Sequence, residues 1–238
     1  VKIKSYAKLN LALNIIGKTS FLHKIESIAT FSSLHDEIFI NKIKSKFHKI
    51  LFVGRFSRNI NRQNTVSKLL EILEEKNYLK NKKFKIKINK KIPIKAGLGG
   101  GSMNAASILS YFVKIKINKK EIILISKLIG SDVILGLNPT NSILNSNNKI
   151  KYYKNCKKFY TLIVKPNFGC STKEIYSKVR KFNKPKLNNP NRKMFNLDFL
   201  KKMSNSLEPI AFTQYNKLRV IKLFLEKLSD PAFVRMSG

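Results

Sequence analysis

Hydrophobic residues recur along the chain with two spacings, one typical of strands and one typical of helices. Alternation over residues 8–16 (KLNLALNII) and 84–89 (FKIKIN) predicts two strands, and the stretch HDEIFINKIK from His35 predicts a third. In the second segment, alternate apolar side chains would face a core while the lysines face water. These strands supply the sheet of the predicted fold.

Helical spacing appears in four other places. Residues 64–76 (NTVSKLLEILEEK) predict a helix behind an Asn or Thr cap, and residues 105–112 and 119–129 predict two more, the last ended by Gly130. Residues 215–228 predict a late amphipathic helix, with these side chains directed inward: Leu218, Ile221, Leu225 and Leu228.

A change of composition suggests where the chain divides. Asn and Lys dominate residues 138–158, after which residues 159–166 (FYTLIVKP) predict a new strand and residues 182–193 a loop. Strands and helices in mixed order, without an internal repeat, favour an α+β protein with two domains, 1–155 and 156–238.

Composition narrows the class of protein. The chain has 238 residues, 43% of them hydrophobic, which is ample for a packed core. It shows no apolar run near the roughly 20 residues of a membrane span and no signal-peptide pattern, so a soluble intracellular protein is expected. Cys156 and Cys170 match no metal spacing and are expected to be reduced.

The formal charge is +35, from 48 Lys plus Arg against 13 Asp plus Glu. Such a charge is typical of proteins that bind nucleic acid. The lysines are nevertheless spread over the whole chain together with Ile and Asn, as expected of an AT-rich genome, rather than clustered with aromatics on one element. A solvated basic surface is therefore the favoured interpretation, and no nucleic-acid partner is expected.

Glycine is concentrated in one short segment. Four of the ten glycines lie in residues 97–101 (GLGGG), directly before a predicted helix. Glycines allow a ligand to approach backbone N–H groups, and a helix N-terminus adds unpaired donors and a positive dipole end, a combination that binds phosphate. The segment has neither the Gly-Lys-Ser/Thr ending of a Walker loop nor a complete Gly-x-Gly-x-x-Gly pattern.

The segment resembles the signature of the GHMP small-molecule kinases. The matching residues are Pro93, Gly97, Leu98, Gly99, Gly100, Gly101, Ser102, Asn104, Ala105 and Ala106. AKLNLALNI, IGSDVILG and SNSLEPIA resemble three further family segments in the same order. The resemblance implies the two-domain GHMP kinase fold, with an N-terminal domain similar to a ribosomal protein domain and a ferredoxin-like C-terminal domain.

The same resemblance implies a catalytic pair and a cofactor. Asp132 matches the aspartate proposed as general base for the acceptor hydroxyl, and Lys8 matches the lysine that pairs with it. Considered alone, Asp132 could equally be a helix cap after Gly130. ATP would bind at the glycine segment, with Mg²⁺ held by phosphates and water. Of the side-chain oxygens in that loop, the Ser102 hydroxyl would lie nearest to them. Lys90 matches a lysine near the nucleotide, although an exposed strand-end lysine is an equal alternative.

Resemblance to one member of the family implies which residues bind the substrate. The small-molecule acceptor of that member is a cytidine diphosphate ester of a methyl-branched sugar alcohol. Asn10 resembles a residue near the substrate hydroxyls, His23 the histidine that bonds cytosine, and Tyr176 an aromatic on one face of that ring. On the other face of the cytosine ring, the family has a tyrosine. Leu22 occupies that position here, so the aromatic contact is weakened unless Phe21 substitutes for it. A monomer or weak homodimer is expected.

Some positions depart from the family pattern. Met103 replaces a serine, Ile134 a proline and Ser206 an aspartate, while RMSG (235–238) resembles the start of a third motif that normally continues further. The expectation is an incomplete C-terminal domain, from either a fragment or a decaying gene, and Val1 fits an alternative start codon or a fragment. Three alternatives therefore remain: another GHMP kinase, a basic RNA-binding protein, or a non-functional remnant.

Overall fold

The computed structural model describes residues 1–20, 22–113 and 117–238. The chain forms two compact units that interleave along the sequence. The first comprises residues 1–8, 31–94 and 98–139, and the second comprises residues 9–30, 95–97 and 140–238. Interleaving arises because the long strands β1 (Lys2–Lys18) and β2 (His23–Ile43) each contribute residues to both units. The contiguous domains 1–155 and 156–238 remain a prediction.

The sheet of the first unit joins β2 to β3 (Lys49–Val53) and β4 (Lys83–Asn89). Strand β4 runs antiparallel to β2, from Ile43 opposite Lys83 to Glu37 opposite Asn89, and β3 lies parallel to β4 on its other side. A parallel pair needs a crossover connection, and α1 (Thr65–Glu75) lies in the chain between β3 and β4. The predicted strands at residues 8–16 and 84–89 are confirmed, and the strand predicted from His35 begins earlier, at His23.

Helices cover this sheet and close the first core. Asn64 caps α1 by accepting the backbone N–H groups of Val66 and Ser67, at 2.9 and 3.2 Å. The helices α2 (Gly100–Val113), α3 (Lys119–Ile129) and α4 (Val133–Gly136) follow. The core beneath them contains Phe112, which is fully buried with its ring edge-on to Phe84. The helices predicted at residues 64–76, 105–112 and 119–129 are confirmed.

The second unit contains the rest of β1 and β2 together with a short hairpin, β5 (Asn141–Leu144) and β6 (Ile150–Tyr153). Strand β5 runs antiparallel to residues 27–29 of β2. The helices of the second unit are α5 (Thr172–Ser177), a 3₁₀ helix (Arg192–Phe195), α6 (Leu197–Lys201), α7 (Glu208–Gln214) and α8 (Asn216–Glu226). Two apolar clusters hold it together, one around Ile28 and Phe195 and one around Leu13 and Leu207.

Two expectations for the second unit are wrong. The apolar residues 159–166 are not a strand, and Tyr160, Leu162 and Val164 are exposed. An apolar segment forms a strand only where a neighbouring strand supplies backbone partners, and the described part of the chain pairs none with this segment. Helix α8 forms as predicted, and Leu218, Ile221 and Leu225 are half-buried, with Leu218 packed against the cluster around Leu13 and Leu207. Leu228 lies beyond the end of the helix and is 41% exposed rather than directed inward.

Across the described ranges, the helices are all too short or too polar to reach from one side of a bilayer to the other.

A surface carboxylate at the end of the β2–β4 pair gives the fold a testable pH dependence. Hydrogen bonds from the side chains of Lys2, Lys91 and Asn89 lower the pKa of Glu37 from 4.5 to about 2. A carboxylate with a lower pKa in the folded state stabilises the fold above its unfolded pKa, and this contribution is lost as the pH falls from 4.5 towards 2. The difference in unfolding midpoint between wild type and Glu37→Gln should therefore be largest above pH 5 and shrink in more acidic solution.

Urea unfolding at a series of pH values measures this difference. Glu71→Gln, at an exposed position of α1, is the matched control. Parallel pH profiles for the two variants would contradict the assignment to the Glu37 hydrogen bonds.

Candidate active site

The glycine segment of the first unit is fixed between β1 and α2. The backbone N–H of Lys8 donates to the carbonyl of Leu98 at 3.0 Å, and the N–H of Met103 donates to the carbonyl of Gly99 at 2.8 Å. Gly99 has φ +64°, in the left-handed region that favours glycine. A Cβ there would lie 3.7 Å from Asp132 Oδ2, so the glycine backbone lies directly beside that carboxylate.

Lys8 and Asp132 form an ion pair although 124 residues separate them. Lys8 Nζ lies 2.8 Å from Asp132 Oδ2, with the lysine side chain 5% exposed and the aspartate side chain 35% exposed. Asp132 precedes α4, but its side chain makes no capping hydrogen bond. The capping alternative is therefore wrong, and the structure pairs the two residues as the resemblance implied. A carboxylate held by an ammonium group and still open to solvent can accept a proton.

Helix α1 contacts the same segment. The hydroxyl of Thr65, the first residue of α1, donates to the carbonyl of Gly101 at 2.8 Å. Ser102 is half-buried, whereas Asn104 is 1% exposed, and its Oδ1 has no hydrogen-bond partner among the described residues. Leu98 is 3% exposed and serves as the apolar anchor of the loop.

Lys90 is buried rather than exposed. Its side chain is 4% exposed and its ammonium group is paired with Asp36, whose side chain is fully buried. The alternative of an exposed strand-end lysine is therefore wrong. A Cβ on Gly100 would lie 3.3 Å from Lys90 Nζ, so the lysine is a neighbour of the first residue of α2. Pro93, between Lys90 and the glycines, is half-buried.

Gly97 belongs to the second unit and is needed there for close approach. Its φ is +69°, and a Cβ would overlap the carbonyl oxygen of Ser237. The Ser237 hydroxyl in turn accepts the backbone N–H of Asn10 at 3.0 Å. Asn10 itself is 7% exposed.

The second unit also brings together two of the predicted substrate residues. The rings of His23 and Tyr176 lie 5.1 Å apart between centroids, at 47°. Burial and the nearby charge of Lys18 lower the pKa of His23, which favours the neutral imidazole. Its Nε2 is buried and unbonded within the described ranges, so the ring has a hydrogen-bonding position available for a ligand. Leu22 is 72% exposed, and Phe21, its suggested aromatic substitute, lies outside the described residues.

The departures from the family pattern have local explanations in two of three cases. Met103 is 1% exposed, so its apolar side chain belongs to the buried interior and fits this position. The Ser206 hydroxyl accepts the N–H of Ile15 at 3.1 Å and the side-chain amide of Asn183 at 2.9 Å. Ile134 lies in the single turn of α4, and nothing in the structure explains the loss of proline there.

Within residues 1–20, 22–113 and 117–238, no three His, Cys, Asp or Glu side chains are grouped so that they could hold an ion.

Comparison with known proteins decides the family. Residues 64–140 match the GHMP kinases N terminal domain. A 4-diphosphocytidyl-2-C-methyl-D-erythritol kinase of Pelagibacter ubique is 56% identical over 240 residues, which cover 100% of this chain and 85% of that protein. The chain belongs to the GHMP kinase family, among these kinases. A relative described in the same words from Clostridium tetani is 34% identical, over 93% of this chain and 82% of its own length.

Solved structures confirm the α+β fold expected of this family. A crystal structure of 4-(cytidine 5'-diphospho)-2C-methyl-D-erythritol kinase superposes with a TM-score of 0.76 at 21% identity, over 100% of this chain and 87% of that one. A homoserine kinase from Cytophaga hutchinsonii has a TM-score of 0.53 at 15% identity, over 77% of this chain and 61% of that one.

Two residues at the site were missed by sequence reasoning. Asp36 and Thr65 both contact the segment around the glycines, although each lies far from it in sequence. The scarcity of carboxylates was a usable signal for Asp36, since only 13 acidic residues occur and this one lies inside an apolar strand pattern. Thr65 gave no signal beyond its place at a helix start.

The backbone conformation at Gly99 is expected to be necessary for nucleotide binding. Gly99→Ala places a Cβ at φ +64°, a conformation that costs an L-residue about 1–2 kcal/mol, and the loop should relax away from it. We expect the KM for ATP to rise about tenfold or more, measured by steady-state kinetics.

Gly130→Ala is the matched control. Gly130 has φ 170°, which any residue adopts, and a Cβ there meets Ser102 Oγ at an ordinary 3.8 Å. Equal effects of the two alanines would show that the left-handed backbone at residue 99 is not what binding requires.

Proposed function

We propose that this protein is the ATP-dependent kinase that phosphorylates the 2-hydroxyl of 4-diphosphocytidyl-2-C-methyl-D-erythritol in isoprenoid precursor synthesis. The 56% identity to the Pelagibacter ubique kinase over the whole chain carries this conclusion. The Lys8–Asp132 pair supports it, because a kinase for an alcohol needs a proton acceptor beside its phosphate-binding backbone.

Asp132 is proposed as the general base. Its carboxylate takes the proton from the acceptor hydroxyl as that oxygen attacks, and the ion pair with Lys8 holds the carboxylate in place. The same ammonium places positive charge beside the position where negative charge develops. Lys8 is held rigidly for this task, since its side chain is 5% exposed and its backbone N–H is bonded to Leu98.

The first turn of α2 is proposed to hold the phosphates. The backbone there is open to an anion, because Gly99, Gly100 and Gly101 carry no side chains and α2 has no acidic residue in its first turn. A 14-residue helix adds the positive end of its dipole. When bound, ATP with Mg²⁺ supplies the phosphoryl group in charge-neutralised form. The amides of the loop orient the phosphoryl group, and the Ser102 hydroxyl is the side-chain oxygen of the loop nearest to it in sequence.

Acceptor recognition is proposed for residues of the second unit. The unbonded Nε2 of His23 would bond the cytosine, Tyr176 would lie against one face of that ring, and Asn10 would bond a substrate hydroxyl. A neutral imidazole suits this role because it can both donate and accept. We further propose a cytoplasmic enzyme that works as a monomer or weak homodimer.

Turnover of ATP in the presence of separate acceptors tests the function. The purified chain should consume ATP with 4-diphosphocytidyl-2-C-methyl-D-erythritol and not with homoserine or mevalonate. Turnover with one of the other acceptors in its place would assign the chain to a different small-molecule kinase.

Replacing the base should abolish chemistry without unfolding the protein. Asp132→Asn keeps the shape of the side chain and its contact with Lys8 but cannot accept the proton. We expect kcat to fall by about 10²–10⁴-fold with little change in the KM values.

Asp230→Asn is the control for Asp132→Asn. Asp230 is exposed and has φ 45°, a conformation that asparagine tolerates equally well. Full activity of this variant, beside a folded but inactive Asp132→Asn, is the expected pair of results. An active Asp132→Asn would remove the aspartate from the mechanism.

Restoring an aromatic residue at position 22 should improve acceptor binding. Leu22 is 72% exposed, so Leu22→Tyr disturbs no core, and a ring stacked on cytosine adds about 0.5–1.5 kcal/mol. The KM for the acceptor should fall by about 2–10-fold while the KM for ATP stays constant. Leu22→Ile controls for a change of shape alone, and a fall in KM with isoleucine would contradict the stacking explanation.

A further inference from the structure

A buried ion pair of the first unit lies outside the proposed chemistry. Asp36 is fully buried and Lys90 is 3% exposed, and their charged groups are in direct contact. The second carboxylate oxygen of Asp36 accepts two backbone N–H groups, from Lys91 at 2.7 Å and from Ile92 at 2.8 Å. One side chain therefore binds three consecutive residues.

These three residues form the last part of the chain before Pro93 and the glycine segment. The β2–β4 ladder ends with Glu37 opposite Asn89, and the same register would next place Asp36 opposite Lys90. At that position the Asp36 carboxylate, rather than a backbone carbonyl, accepts the backbone N–H groups of the next two residues, Lys91 and Ile92. Asp36 therefore ends the ladder and fixes the direction in which the chain leaves the sheet.

Lys90 transmits this constraint to α2. Its ammonium lies close to Gly100, the first residue of the helix. Its backbone is also engaged, with the N–H donating to Val53 at 2.7 Å and the carbonyl accepting from Phe56 at 3.3 Å. Withdrawal of the ammonium to reach a phosphate would leave a fully buried carboxylate without its counter-charge, which is strongly unfavourable.

We propose that Asp36 is a positioning residue for the phosphate-binding segment, and that Lys90 acts through Asp36 rather than by touching the nucleotide. This rests on the proposed kinase function. The pair holds residues 90–92 so that the loop amides are already oriented when ATP arrives, and pre-oriented donors stabilise a transferring phosphoryl group without reorganisation. Direct phosphate binding by Lys90 is the opposing explanation.

A double-mutant cycle tests whether the two residues act as one unit. Asp36→Asn retains an oxygen for the two amides but removes the charge, and Lys90→Met removes the ammonium at similar length. We expect each single variant to lower kcat/KM for ATP by about tenfold or more without changing the KM for the acceptor. The double variant should be within about threefold of the worse single variant, because both changes break one device.

Two kinetic results would overturn the proposal. Effects that multiply in the double variant would show that the two residues act independently of each other, which would contradict a shared positioning role. An unchanged kcat/KM for ATP in Asp36→Asn would show that the pair does not position the loop. Glu37→Gln is the matched control: it alters the neighbouring carboxylate, which faces solvent-accessible lysines, and should change kcat/KM for ATP less than twofold.

Amide hydrogen exchange provides a test that needs no turnover. In Asp36→Asn, residues 91–102 should exchange about tenfold faster while α3 exchanges as in wild type. Equal acceleration in both segments would indicate general destabilisation and refute positioning. If wild type does not phosphorylate the acceptor, the kinase proposal fails, and the exchange experiment still decides the role of Asp36.

Discussion

The pairing of Lys8 with Asp132 is the interaction on which the organisation of the first unit's site depends. It joins a residue near the start of the chain to one in the middle, across 124 positions, and brings Gly99 beside both. Such a pair is costly to form in a poorly hydrated place unless other contacts fix its geometry. Here the backbone of Lys8 is bonded to Leu98, so strand, loop and carboxylate hold one another in place.

Scarce carboxylates have a consistent structural use in this chain. The formal charge of +35 means that basic residues far outnumber acidic ones. Several of the few acids lie inside, where they bind backbone. Asp36 binds the amides of residues 91 and 92, and Glu26, fully buried in the second unit, accepts those of Lys186 and Leu187 at 2.8 and 3.1 Å. An ionised carboxylate is an acceptor strong enough to fix irregular backbone that no strand or helix satisfies.

The second unit shows where local pattern and tertiary packing disagree. Residues 159–166 have the apolar composition of a strand, and α8 has an amphipathic sequence, yet both leave apolar side chains exposed. Alternation and helical spacing report which face is apolar, and burial depends on whether another element packs against that face. The same reasoning applies to Met103, where a departure from the family pattern lies in a buried position and leaves the loop backbone intact.

The sequence by itself determined the local structure and the identity of the catalytic candidates. The periodicity of apolar residues located β4, α1, α2 and α3. The glycine-rich sequence of residues 97–101 located the loop before α2. Resemblance to a family singled out Lys8 among many lysines, which no local feature does. Only the tertiary structure decided which charges meet. It paired Lys8 with Asp132 instead of leaving the aspartate as a cap, and it buried Lys90 on Asp36, because long-range pairing depends on strand register and packing that local spacing does not encode.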